Sequence, residues 1–250
     1  MDLKNKKVII TGGCSGIGRQ LVDTLIEECS IVGVLDINKS AFKEINKISP
    51  NVFCYECDVT NPYSVEEAVE NFYNKFGSID ILVNNAGVLY SSPLVGLTLK
   101  GLKKHSYEDW TDVINTNLNS LFYVSANVVE KMLEQRVKGV IVNISSVCSA
   151  GNAGQSAYSA AKAGVNALTS TWSKELSSIG IRVVGISPGY IDTNSTRKAL
   201  SDSNIENIRQ EIPLKRLALT HEIIDSILFA IKNDFFNGKI LEIDGGLIVS

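Results

Sequence analysis

The sequence predicts an α/β fold: one doubly wound parallel sheet flanked by helices. Two observations predict it. Short, nearly all-apolar runs alternate along the chain with stretches of helical spacing. Most of the apolar runs end in glycine-, asparagine- or serine-containing turns. Strands that alternate with helices make right-handed crossovers and therefore pair in parallel. Strands covered by helices on both faces read as continuous apolar runs rather than alternating ones.

The elements follow in order. KKVIITGG, residues 6–13, is a buried strand running into glycines, and 17–29 has helical spacing. SIVGVLD is the second strand, ending at Asp36, with a short helix over 39–48 behind it. NVFCYECDV, 51–59, is the third strand, followed by an amphipathic helix over 64–77 that stops at Gly77, a good terminator. IDILVNNAG is the fourth strand, and one long helix is expected from Trp110 to Gln135. GVIVNISS is the fifth strand, a helix runs to about Ser178, IRVVGISPG is the sixth strand and GKILEIDGG the seventh. No proline- or glycine-rich linker and no internal repeat divides them, so residues 1–250 are read as one domain.

A chain of 250 residues with 44% hydrophobic content can bury one substantial core. The net charge of −3 and the absence of any block of Lys or Arg speak against a nucleic-acid groove. No apolar run reaches the roughly 18 residues needed to span a bilayer, and the first residues carry no signal-peptide pattern. A cytoplasmic protein without membrane or nucleic-acid partners is expected. Five scattered cysteines do not make a disulfide framework. Cys54 and Cys57 lie in a strand, where residues three apart face opposite ways. With only His105 and His221 besides, no metal site is read.

Doubly wound sheets bind ligands at the carboxyl ends of their strands, so the strand-end turns carry the functional reading. TGGCSGIG, 11–18, lies between a strand and a helix, the context of a phosphate-binding loop. Gly12, Ser15, Gly16, Ile17 and Gly18 are its candidate cofactor contacts; glycines let backbone N–H groups approach a pyrophosphate. Asp36, about twenty residues further on, suits the ribose hydroxyls of an adenine dinucleotide and repels a 2′-phosphate. No Arg or Lys lies in 12–17 or directly after Asp36, which favours NAD over NADP. Asp58 and Val59 end the third strand, and Asn85 and Gly87 lie in the NNAG that ends the fourth. Ser145 and Ser146 end the fifth, and Ile191 and Thr193 follow the sixth. SAYSAAKAG places Tyr158 four residues before Lys162, on one face of a helix. A neighbouring ammonium favours the phenolate, so the pairing predicts a Tyr158 pKa drawn down towards neutrality.

TGxxxGxG, the aspartate after the second strand, NNAG, NTNL, NISS, YxxxK and the PG motif occur together and in one order. The chain is identified by them, over essentially its whole length, as a member of the short-chain dehydrogenase/reductase family. The resemblance implies a Rossmann-type fold and hydride transfer between a nicotinamide cofactor and a secondary alcohol or carbonyl. It implies that Tyr158 is the acid/base and that Lys162 binds the nicotinamide ribose. Asn117 then interrupts a helix and holds a water linking Lys162 to solvent, and a serine polarises the substrate oxygen. Spacing to Tyr158 selects Ser145, whereas the strand-end pattern selects Ser146, and Ser146 is preferred. The substrate is either a 3-oxoacyl thioester, on an acyl carrier or CoA, or a polyol, sugar or steroid. An inactive NAD(H)-binding module is the remaining alternative.

The segment 88–110 is longer than is usual in the family and resembles the insertion of the type 2 3-hydroxyacyl-CoA dehydrogenases. Its Lys100, Lys103 and Lys104 suit a phosphate-bearing substrate, and equally a solvated charged surface loop. Residues 194–213 are read as a substrate lid. Family members commonly assemble as tetramers or dimers through the helices that hold Asn117 and Tyr158. The apolar C-terminal stretch would also be buried against a partner.

Overall fold

The computed structural model describes residues 1–28, 30–98, 101–193, 196–197 and 201–247. Strands β1 (Lys7–Thr11), β2 (Ile31–Asp36), β3 (Val52–Glu56) and β4 (Ile81–Asn84) build the first half. Helices α1 (Gly16–Glu27), α2 (Phe42–Ile45) and α3 (Pro62–Phe76) connect them. A small hairpin, β5 (Val95–Thr98) and β6 (Gly101–Lys104), precedes α4 (Tyr107–Ile114) and α5 (Ser120–Glu134). Then come β7 (Val140–Ile144), α6 (Ser156–Leu176), β8 (Arg182–Pro188), α7 (Asp202–Glu211), α8 (Thr220–Lys232) and β9 (Ile240–Ile243).

The seven-stranded sheet has the order β3-β2-β1-β4-β7-β8-β9, and all its pairs are parallel. The winding reverses between β1 and β4, which opens a crevice at the carboxyl ends of those strands. Strand residues alternate between two apolar layers. Val8 and Ile10 pack with Leu21 and Leu25 of α1 and Ile223 and Ile227 of α8. Ile9, Leu82 and Ile141 pack with Val69 and Phe72 of α3 and Val128 of α5 on the other side. Burying each such side chain contributes about 1.5–3 kcal/mol. Cys54 belongs to the first layer and Cys57 to the second, on opposite sides of the sheet. Helix α3 is set by local chemistry. The Asn61 side chain accepts from Tyr63 N, Pro62 takes the first position, and Gly77 ends the helix with φ 75°.

Four segments differ from the sequence expectation. The short helix over 39–48 is reduced to a 3₁₀ turn and the single turn of α2. The helix over 110–135 starts earlier, at Tyr107, and is not continuous as its periodicity suggests: a π turn over Asn115–Asn119 breaks it around Asn117, where the resemblance implies an interruption. The expected surface loop contains the β5–β6 hairpin. The expected lid carries α7, of which Ile205 is buried with Ile212, Leu217 and Leu247 against Val147 and Tyr190. Residues 194, 195 and 198–200 of that lid lie outside the described residues, as do Cys29, Lys100 and 248–250. Leu247, from the apolar C-terminal stretch, is therefore covered from within the chain. Among the described residues no helix is long and apolar enough to cross a membrane.

Candidate active site

The glycine loop closes on the end of β4. Thr11 Oγ1 accepts from the backbone N–H groups of Asn85 and Ala86, both at 3.0 Å. The Asn85 amide donates to the Thr11 and Gly12 carbonyls, again at 3.0 Å. Gly12 turns with φ 66°. A Cβ on Gly18 would lie 2.3 Å from the Gly12 carbonyl oxygen and 2.6 Å from the Asn85 amide nitrogen, so only glycine fits there. Ser15 and Gly16 stand exposed at the start of α1, and Ile17 is half-buried. No acidic side chain occupies the first turn, and Ser15 makes no side-chain cap. The free N–H groups and positive end of α1 are thus open to an anion, as a dinucleotide pyrophosphate requires.

Asp36 sits beside this loop. Its Oδ2 accepts from Cys14 N and its Oδ1 from Asn38 N, both at 2.9 Å. One backbone donor on each oxygen fixes the carboxylate and leaves acceptor capacity on both. Burial and the Asp36 carboxylate together push the Cys14 thiol up to about 12. At the β3 end, Asp58 Oδ1 holds the N–H and hydroxyl of Thr60, and Val59 is half-buried. Ile191 is buried in a single parallel bridge to Ala218, and Thr193 Oγ1 accepts from Thr196 N.

Ser146, Tyr158, Lys162 and Asn117 converge at the other end of the crevice. Ser146 follows β7; its hydroxyl accepts from Cys148 N at 3.2 Å and stands close enough to the Tyr158 hydroxyl to favour its phenolate. Ser145 faces the other way and donates to Asn166 Oδ1 of α6 at 2.6 Å. Lys162 is buried; its Nζ donates to the Ile144 carbonyl at 2.8 Å and lies 5.6 Å from the centre of the Tyr158 ring. Asn117, in the π turn, donates to the Val88 and Val113 carbonyls and accepts from Val88 N. A Cβ on Gly87 would lie 2.6 Å from Asn117 Oδ1, so Gly87 lets the helix interruption touch the β4 turn.

The electrostatics differ from the sequence expectation. Tyr158 is not drawn down; burial pushes it up to about 12, and the neighbouring Ser146 hydroxyl offsets this only in part. Lys162 is itself pushed down to about 8 by burial. The ammonium is committed to a carbonyl and stands over the ring face, so desolvation outweighs its pull on the phenol.

Three side chains here escaped the sequence reading. The Asn152 amide donates to Tyr190 Oη at 3.3 Å, to Gln155 Oε1 at 3.2 Å and to Cys148 Sγ at 3.6 Å. Tyr190 directly follows the IRVVGISPG strand; Asn152 and Cys148 belong to a loop whose course spacing alone does not give. Below them, Asn84 donates to Asn143 and Ser125, and Asn143 to Thr169, a buried polar chain from β4 across β7 to α6.

A seven-stranded parallel sheet, a glycine turn at its reversal and a serine–tyrosine–lysine cluster at one strand end define a dehydrogenase of the short-chain type. The chain matches the short chain dehydrogenase family over residues 6–204 and belongs to it. It is an oxidoreductase acting on CH–OH or C=O groups with a nicotinamide cofactor. Among named proteins it resembles the 3-oxoacyl acyl-carrier-protein reductases FabG. The Thermotoga maritima protein is 39% identical over all of both chains. That of Chlamydia muridarum is 37% identical over 98% of each chain, and that of Salmonella typhimurium 33% over 99% of each.

Proposed function

We propose that the chain reduces 3-oxoacyl thioesters with NADH, with Tyr158 as the proton donor. One observation carries the assignment of roles: Ser146 at the end of β7, Tyr158 and buried Lys162 stand together, the Lys162 ammonium lying 5.6 Å from the centre of the Tyr158 ring and tied to the Ile144 carbonyl at the end of β7. A Tyr158 pKa of about 12 keeps its proton at neutral pH, which suits an acid working in the direction of reduction. The nicotinamide ring, when bound, supplies the hydride. Ser146 donates a hydrogen bond to the carbonyl oxygen, and the Tyr158 phenolic proton passes to that oxygen as the carbon is reduced. Lys162 holds the nicotinamide ribose and stands behind Tyr158. Asn117 fixes the β4 turn through Val88 and backs Lys162.

Substrate class rests on the full-length resemblance to reductases of that name. The preference for NAD rests on Asp36: its carboxylate is fixed at the end of β2, where a 2′-phosphate would meet like charge. Gly12, Ser15, Gly16, Ile17 and Gly18 would cradle the pyrophosphate. Asp58, Val59, Asn85, Gly87, Ile191 and Thr193 would line the remaining length of the cofactor. A homo-oligomer is part of this reading, supported by the half-exposed Phe122 on α5 and the exposed Ala160, Ala163 and Ala167 on α6, a face of small and apolar groups. A cytoplasmic location accompanies this reading.

The test is nicotinamide absorbance with acetoacetyl thioesters, run with NADH and with NADPH, beside polyols and hydroxysteroids with NAD. Thioester turnover that prefers NADH is expected. Turnover of a polyol or steroid alone would overturn the substrate class. NADH binding without turnover of any of them would favour the inactive binding module.

A further inference from the structure

We propose that the β5–β6 hairpin is a docking element for an acidic acyl-carrier protein. This rests on the reading of the chain as a 3-oxoacyl thioester reductase. Pairing of Val95 with Lys104 and of Leu97 with Leu102 places these four side chains on one face of the ribbon. Leu97 is 85% exposed and Leu102 79%. Neither finds apolar cover among the described residues, and neighbouring Leu94 is exposed too. An apolar patch of this kind, ringed by polar groups, marks an interaction site.

The charge around the patch selects the partner. Residues 81–107 contain no Asp or Glu, although the whole chain carries −3. Lys104 shares the apolar face and Lys103, opposite Gly96, lies on the other; both are exposed and make no ion pair among the described residues. An apolar centre with a cationic rim fits an acidic surface that carries some apolar side chains of its own.

The root of the hairpin points to the same partner. A two-stranded ribbon is marginal alone, and this one is held from its base. His105 N donates to the Leu94 carbonyl at 2.9 Å, and His105 Nδ1 is 3.1 Å from the Ser92 carbonyl oxygen. The buried His105 ring packs edge-on to Tyr90 and Trp110, at centroid distances of 5.6 and 6.3 Å. Ser92 N donates to the Gly154 carbonyl at 2.6 Å, and Gln155 donates to Ser91 Oγ at 3.1 Å. Gly154 and Gln155 lead directly into α6, which carries Tyr158. A protein gripping the hairpin is thereby registered to the helix that holds the proton donor. A substrate tethered to its carrier needs that registration; a free small thioester does not.

The test compares one acyl group on two carriers. Acetoacetyl groups are presented on holo acyl-carrier protein and on N-acetylcysteamine, to the wild-type chain and to the pairs L97S/L102S and K103E/K104E. Each pair is expected to lower kcat/KM for the carrier-borne substrate by about tenfold or more, through KM, with the small thioester within about twofold of wild type. Added salt should weaken the carrier arm of the wild type alone. If both substrates respond alike, or neither does, the docking role fails while the reductase reading stands. If the wild-type chain reduces neither, the reductase reading fails and this inference with it. A shift to smaller species for L97S/L102S in sedimentation velocity would assign the hairpin to a second copy of the chain and overturn the proposal.

Discussion

Lys162 aims its ammonium at the Ile144 carbonyl, 2.8 Å away, and not at the Tyr158 hydroxyl. The lysine is thus tied to the end of β7, in a place that strips its water. Burial lowers its pKa from 10.5 to about 8. Two consequences have opposite signs. For activity, the lysine carries its charge only below about 8, so reduction should fall with one-proton dependence as pH rises through that value. Lys162→Arg, whose charge persists, should abolish that limb in a pH–rate profile even at lowered turnover. For stability, the unfolded lysine binds its proton more tightly than the folded one between pH 8 and 10.5, so this group makes folding more favourable as pH rises through that window. Lys162→Met should therefore raise Tm at pH 7, by an advantage that shrinks towards pH 10.5. An advantage independent of pH would mean that the buried amine is not what costs stability.

The two serines after β7 have separate tasks. Ser146→Ala removes the hydroxyl beside Tyr158 and should reduce kcat by about a hundredfold or more, with the NADH Kd within about twofold. Ser145→Ala strands Asn166, its partner at 2.6 Å. That variant should lose about 1–2 kcal/mol of stability and keep most of its turnover. Steady-state kinetics and thermal melts on the two variants distinguish the assignments; the reverse pattern would move the substrate contact to Ser145.

Asp36 predicts the cofactor. Asp36→Ala deletes both acceptors and the charge, and leaves the N–H groups of Cys14 and Asn38 to water. The Kd for NADH should rise about tenfold, or about 1.4 kcal/mol, while NADPH binding improves. Fluorescence titration with each nucleotide reads this out, and equal weakening of both would remove the ribose role.

The sheet was legible because its strands are buried on both faces and read as apolar runs bounded by turns. KVIIT, ILVN and VIVNI occur where those runs predicted strands. The glycine loop and the YxxxK pair were legible because their chemistry depends on spacing along one element. What depends on tertiary surroundings was not. Periodicity cannot show that Asn117 opens a π turn, since the residues on either side keep helical spacing. The hairpin escaped because each arm is four residues long and its apolar face meets no core. The direction of the Tyr158 shift was misjudged because spacing brings the lysine near, whereas burial by residues distant in sequence decides the balance.

The sheet beneath the site is tightly packed where β2 meets α3. A Cβ on Gly33 of β2 would fall 2.5 Å from Phe72 Cδ2. Phe72 is fully buried and cannot step aside: its ring meets Phe76 at 4.8 Å and Tyr55 at 6.1 Å between centroids. Gly33→Ala should therefore cost about 1–3 kcal/mol through overpacking, although alanine is the better residue for backbone entropy. Phe72→Leu alone should also destabilise, by opening a void. Combined, the two changes should cost less than their sum, because the smaller side chain vacates the space the new methyl needs. Denaturant melts of the four proteins measure that coupling. Strict additivity would show that β2 shifts to admit the methyl, and that the Gly33–Phe72 contact does not hold this edge of the sheet.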